Sequence, residues 1–201
     1  NLNSYLEESQ VGKENAWEFY FEQPCGYTLE DISKSRRVIL SDGLITKKND
    51  YPDGQITFDS EKYRLWRDFF MKYFRIRTDI VRDVEQLRDD FFHGERVVGV
   101  LCRGTDYVAQ HPKNHPIQPA ISDLINKTIK TLLEYSCKWV YLATEDEDAY
   151  QKFLETFGDR LKITRAKRCK NIGNRNINEV SFGRKNDKYL RGREYLINIL
   201  L

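Results

Sequence analysis

No apolar stretch in this 201-residue chain runs beyond about six residues, against the roughly 20 that a membrane-spanning helix needs. Its start also lacks the basic-then-apolar form of a secretory signal. Cysteine is sparse: Cys25, Cys102, Cys137 and Cys169 are far apart, with no CxxC and no Cys/His grouping of zinc spacing. That usage suits a reducing compartment, and the expected location is cytoplasmic. Neither sign of charge dominates, since 33 Lys and Arg face 31 Asp and Glu for a net +2. A dedicated nucleic-acid coat and an acidic tail are both excluded. There is no Walker loop, and no G-x-G-x-x-G follows a strand-like run. Methionine occurs once, as Met71, so Asn1 is not a translation start, and residues 195–201 end the chain in an apolar helical pattern without a breaker. The expectation is a piece of a longer protein, incomplete at both ends. What is present is ample apolar material: 40% hydrophobic and 13% aromatic residues support a core in one large α/β domain or two small ones.

The periodicity divides the chain. Residues 1–60 read as irregular and aromatic-rich, with a short strand expected at Arg37-Val38-Ile39-Leu40 and a turn at Tyr51-Pro52-Asp53-Gly54. Residues 61–95 read as a connecting helix. Trp66, Phe70, Tyr73, Ile76, Ile80, Val84, Leu87 and Phe91 follow one another in steps of three or four until His93-Gly94. Residues 96–201 change period. Arg96 to Cys102 is a continuous apolar run, expected to be a strand buried on both faces. Residues 120–135 suit an amphipathic helix, Trp139-Val140-Tyr141-Leu142-Ala143 a second buried strand, 147–157 a helix ending at Gly158, and Leu161-Lys162-Ile163 a third strand. A last helix begins near Asp187. Alternating strands and helices with short links make half of a doubly wound parallel sheet, whose ligands lie beyond the carboxyl ends of the strands. Cys102 and Cys137, in or beside strands, read as packing thiols.

That rule singles out two loops. The first opens Arg103-Gly104-Thr105-Asp106. An arginine directly off a parallel strand faces the crevice, and its planar fork suits phosphate. Gly104 allows close backbone approach and Thr105 adds a hydroxyl. Asp106 either braces Arg103 or binds a ligand hydroxyl, and an ordinary surface Arg103–Asp106 pair is the plain alternative. The second loop, Thr144-Glu145-Asp146-Glu147-Asp148, has three readings. Thr144 and Glu147 have capping-box spacing, Asp146-x-Asp148 has the form of a metal-binding Asp-x-Asp, and Glu145 with Asp146 sit where sugar or nucleotide hydroxyls would bind. His111 and His115 each precede a proline, which disfavours a helical metal pair and leaves a proton acceptor in the crevice or a turn residue. Residues 165–193 carry ten basic and two acidic residues, an excess of eight positive charges. That segment suits a diphosphate, an anionic acceptor, RNA or plain solvent.

With these residues in place, the chain resembles the fucosyltransferases of the α-1,6 and protein O-fucosyltransferase type, including bacterial nodulation enzymes. The resemblance is carried by Val100-Leu101-Cys102-Arg103-Gly104-Thr105-Asp106, by His115-Pro116-Ile117, by Val140-Tyr141-Leu142-Ala143-Thr144-Glu145-Asp146 and by Leu190-Arg191-Gly192, in that order. Trp17-Glu18-Phe19-Tyr20-Phe21-Glu22 resembles an aromatic segment ahead of them, so the likeness spans roughly residues 15–201. It implies the donor-binding, Rossmann-like half of a GT-B glycosyltransferase that moves fucose from GDP-fucose to a glycan hydroxyl, with inversion and no obligatory metal or other cofactor, in bacterial glycan or capsule assembly. By resemblance Arg103 meets the donor diphosphate, and Gly104, Thr105, Asp106, His115, Glu145, Asp146 and Arg191 shape the donor site. His111 stands where the α-1,6 enzymes have a loop carboxylate proposed as base. The family's base-reading histidine is Leu101 here, its base-reading aspartate falls at Leu196 with Glu194 the nearest acid, and its second phosphate arginine is Gly104. The expected partners are a nucleotide-sugar donor and a glycan acceptor, with no nucleic acid and no membrane span. Leu101 and Leu196 motivate the alternative, a non-catalytic sugar- or nucleotide-binding module of the same fold.

Overall fold

The computed structural model describes residues 5–38, 61–104, 119–170 and 180–201. The chain divides into two compact units, Asn1–Glu7 with Asp79–Leu201, and Glu8–Thr78.

The larger unit is built on a three-stranded, all-parallel sheet of β1 (Val97–Cys102), β2 (Trp139–Thr144) and β3 (Leu161–Lys162), in the order β1-β2-β3. Side chains alternate across a strand, and β2 uses both sides. Val140 and Leu142 join Val100, Cys102, Leu132, Ala149, Phe153 and Phe157 in one core cluster. Tyr141 and Ala143 join Phe92, with Trp139 and Leu201 packed alongside, in the other. The first cluster is covered by α4 (Ile121–Glu134) and α5 (Glu147–Phe157). The second lies under α3 (Thr78–Phe92) and α6 (Asp187–Leu200), which are tied to each other by the Arg193–Asp83 ion pair and by Arg88 donating to the Leu200 carbonyl. The chain is therefore a mixed α/β protein in which helices flank a small parallel sheet.

β2 meets the expectation of a strand buried on both faces, and β1 does not. Val100 and Cys102 are buried, whereas Gly99 is exposed and Leu101 is 61% exposed. Among the described residues β1 has β2 as its one neighbouring strand, so its second face is only partly covered. Cys102 is buried as expected, and Cys137 packs at the edge of the same cluster. All four cysteines are unbridged.

The helix expected over 61–95 is two: α2 (Glu61–Tyr73), in the smaller unit, and α3, which begins at Thr78 where that unit ends. The interruption is made by long-range backbone pairing. Glu22 N–H donates to the Arg75 carbonyl, Arg77 N–H to the Tyr20 carbonyl, and Phe21 and Ile76 form an antiparallel bridge. Trp17 stacks on Phe21 at 4.5 Å between centroids and meets Phe74 edge-on at 5.0 Å. A short helix the periodicity did not suggest, α1 (Leu29–Lys34), is opened by a reciprocal capping box between Thr28 and Asp31. Arg37 and Val38 are not in a strand. Ile39, Leu40 and the Tyr51–Gly54 turn lie outside the described residues. Among those described, no helix is long and apolar enough to cross a membrane.

Candidate functional site

A cavity of about 330 Å³ opens at the carboxyl ends of the strands in the larger unit. Its floor comes from Leu101 and Arg103 at the end of β1, and from Ala143, Thr144 and Glu145 at the end of β2. One wall is Ala166 and Lys167. The chain reaches that wall because it continues beyond β3 alongside the β2 exit: Cys169 N–H donates to the Glu145 carbonyl and Glu147 N–H to the Cys169 carbonyl. The opposite wall is α6, through Arg191, Glu194, Tyr195, Asn198 and Ile199, with Phe182 and Tyr5 beside it. The cavity lies at the end of the sheet to which the crevice rule for parallel sheets pointed.

Of the residues singled out from sequence, Arg103, Glu145 and Arg191 line this cavity. Gly104 and Asp146 are not among the lining residues but meet each other at the two strand exits. Asp146 is the N-cap of α5, its Oδ1 accepting from the backbone N–H of Asp148 at 2.8 Å and of Ala149 at 3.0 Å. The cap is therefore Asp146, in place of the Thr144/Glu147 box. The Thr144 hydroxyl instead accepts from Asp146 N–H at 3.1 Å. Gly104 lies so close that a β-carbon there would fall inside the Asp146 carboxylate. The two strand exits therefore approach each other more closely there than any residue but glycine would allow. Thr105, Asp106, His111 and His115 lie outside the described residues. Leu196 is not among the lining residues, and Glu194, one turn from Arg191, is.

The α6 wall is fixed by an ion network at its first turns. Asp187, 8% exposed, accepts from Arg184 Nε at 2.7 Å, from Arg191 Nη2 at 2.6 Å and from Phe182 N–H at 3.3 Å. Burial pushes its carboxyl upward, but the hydrogen bonds from Arg184, Arg191 and Phe182 outweigh it and hold the pKa below the ordinary range. Arg184 also grips Glu194 with two bonds, at 2.6 and 2.8 Å. Arg191 lies 4.8 Å from the Phe182 ring centre. Deeper in, Asn198 Oδ1 accepts from the Tyr141 hydroxyl at 2.6 Å and the Thr164 hydroxyl at 2.9 Å, which ties α6 to the sheet.

The excess of basic residues over 165–193 is partly spent inside the fold. Arg168 pairs with Glu147 and stacks on Tyr150, Arg184 and Arg191 take Asp187, and Arg193 takes Asp83. These arginines brace elements of the fold. Among the described residues, Lys167 and Arg191 are the basic members of the segment that line the cavity. Sequence reasoning missed Tyr5, Phe182, Tyr195 and Asn198 as lining residues. One signal for Asn198 was present: it is the single polar residue in the apolar run Leu196-Ile197-Asn198-Ile199-Leu200.

Among the described residues there is no group of three or more His, Cys, Asp or Glu side chains placed to hold a metal ion. No protein-family model matches the chain, and no curated protein matches it.

Proposed function

We propose that the cavity holds the diphosphate of a nucleotide sugar, and that the protein is a glycosyltransferase of fucosyltransferase type. The observation that carries the reading is Arg103. It stands directly off β1 at the carboxyl end of a parallel sheet and lines a cavity that Lys167 and Arg191 also line. Cationic side chains converging at that edge suit the two phosphates of a nucleoside diphosphate. The ordered motifs from Arg103 to Arg191 add the resemblance that narrows the donor to GDP-fucose, and they make the α/β unit the donor-binding half of a GT-B enzyme.

In this reading the acceptor hydroxyl oxygen attacks the anomeric carbon of the sugar from the face opposite the diphosphate. The bond from that carbon to the diphosphate oxygen breaks with inversion, and its electron pair stays on the departing nucleotide. Arg103, with Lys167, meets that growing negative charge, the role for which a preoriented donor is worth most. The acceptor proton passes to His111. Arginine and lysine supply the positive charge for departure, so no metal is required. Asp146 serves this site through the fold, its Oδ1 accepting from the amides of Asp148 and Ala149 at the start of α5. The expected partners are a nucleotide-sugar donor and a glycan acceptor, and four unbridged cysteines suit the cytoplasm.

Titrating the protein with GDP, GDP-fucose, UDP and UDP-glucose in a calorimeter, with and without Mn²⁺, tests this. Binding of GDP and GDP-fucose alone, indifferent to the metal, is the expected result. Silence toward every nucleotide overturns it. A second reading, a non-catalytic binding module of the same fold, is favoured by Leu101, a 61%-exposed hydrocarbon side chain at the cavity floor. Binding of a nucleotide sugar without turnover in the presence of glycan acceptors would select it.

A further inference from the structure

Three aromatic side chains line the cavity: Tyr5, Phe182 and Tyr195, beside Arg191 and Glu194, while Arg103, Glu145 and Lys167 line it from the β1 and β2 exits and the segment beyond β3. Tyr5 arrives there from the opposite end of the sequence, and the reasons it stays are visible. Leu6 next to it is 5% exposed, so the segment is anchored by a buried side chain. Glu7 then supplies what α6 lacks. The N-cap of that helix, Asn186, has left-handed backbone (φ 57°, ψ 38°) and makes no side-chain capping bond. Glu7 Oε1 instead accepts from the Lys188 backbone N–H at 3.1 Å, 181 residues away in sequence. A carboxylate on a first-turn amide satisfies an orphan donor and complements the helix dipole. Residues 5–7 thus form a strap, pinned by a buried leucine and a cap made from a distant residue, that sets an aromatic ring at the cavity wall.

Resting on the nucleotide-sugar reading, we infer that Tyr5 is a ligand-contacting residue whose ring stacks on the base of the bound nucleoside diphosphate. The phosphates go to Arg103 and Lys167, and the base to the Tyr5 ring. A partly exposed tyrosine (40%) on a pinned backbone is suited to this, because a rigid π-face accepts a base with little ordering cost.

The test uses the whole chain and two ligands, GDP and inorganic pyrophosphate, which share the phosphates and differ in the base. Tyr5→Ala is expected to weaken GDP about tenfold or more, to leave pyrophosphate within twofold, and to leave the melting temperature unchanged. Tyr5→Phe, which keeps the ring, is expected to bind both ligands like the parent. Parent-like GDP affinity in Tyr5→Ala overturns the inference. So does an equal loss of GDP and pyrophosphate, which would make the strap structural only. If the parent protein binds neither ligand, the nucleotide-sugar reading falls and takes this inference with it. Parent binding with an insensitive Tyr5→Ala removes the inference alone.

Discussion

At the scale of single residues, the two strand exits are decided by a glycine, an aspartate and an arginine. A β-carbon at position 104 would sit 2.5 Å from the Asp146 β-carbon and overlap its carboxylate. Gly104→Ala therefore has to push away the side chain that caps α5. Losing such a cap costs about 1 kcal/mol, and forcing atoms into a filled space costs about 1–3 kcal/mol more. The expected fall in urea-unfolding free energy is about 2–4 kcal/mol. Placed in an Asp146→Gly background, the same change should cost almost nothing, since the obstructing side chain is gone. Additive losses would show that the contact is not what makes glycine necessary. Arg103 has a different kind of importance, because it lines the cavity and its value would be catalytic. If the proposed sugar transfer is the protein's reaction, Arg103→Ala should lower the rate by about 100-fold or more, as does removal of one such electrostatic donor elsewhere. Near-normal turnover would end its assignment to the leaving diphosphate.

At the scale of elements, the helices and strands of the larger unit were readable because their packing repeats locally. An apolar run marks β2, and steps of three or four mark α4, α5 and α6. The break between α2 and α3 was not readable, since Tyr73, Ile76 and Ile80 keep the helical spacing across it. What stops the helix is backbone pairing with residues 20–22, more than fifty residues away. The half-open face of β1 was hidden for a similar reason. Gly99 and Leu101 look like core residues until the number of neighbouring strands is known. The site divides the same way: Arg103 and Glu145 were legible from topology, whereas Phe182 and Asn198 reach the cavity only through the tertiary placement of α6. The segment from Phe182 through the first turns of α6 is itself braced by Asp187. Removing one partner of a buried charge pair costs about 3–5 kcal/mol, and the partial exposure of Arg184 and Arg191, each 19% at the side chain, reduces this. Asp187→Asn is expected to cost about 2 kcal/mol. Its carboxyl sits below the ordinary value of 3.8, so its stabilisation is complete above that value and is lost as pH falls through the lowered one. Urea midpoints measured from pH 6 down to pH 2 should therefore fall less steeply in Asp187→Asn than in the parent. Parallel curves would show that the network does not set the acid limb.

For the whole molecule, the alkaline limit is expected to be set by the sheet of the larger unit rather than by its surface. Burial, with the charges of Asp146 and Glu145 adding to it, pushes the Cys102 thiol from its ordinary 9.0 up to about 11. Burial likewise pushes the Tyr141 phenol from 10.0 up to about 12, a hydrogen bond with Thr164 opposing it. Both groups are held neutral by the fold and ionise more easily once unfolded. Each therefore stabilises the native state fully below its unfolded value, and that contribution disappears as pH rises to the folded value: from 9 to 11 for Cys102, and from 10 to 12 for Tyr141. The two residues face opposite sides of the sheet, Cys102 toward α4 and α5 and Tyr141 toward α3 and α6, so the loss reaches both layers of the core. Trp139 is the one tryptophan of this unit, while Trp17 and Trp66 belong to the other. With Trp17→Phe and Trp66→Phe in place, fluorescence reports the sheet alone. Urea midpoints should then decline steadily from pH 9 to pH 12. Cys102→Ala should remove the part of the decline that begins at pH 9 and leave the later part, which belongs to Tyr141. A midpoint that stays level up to pH 11 in the parent would mean that neither buried group governs the alkaline stability of the fold.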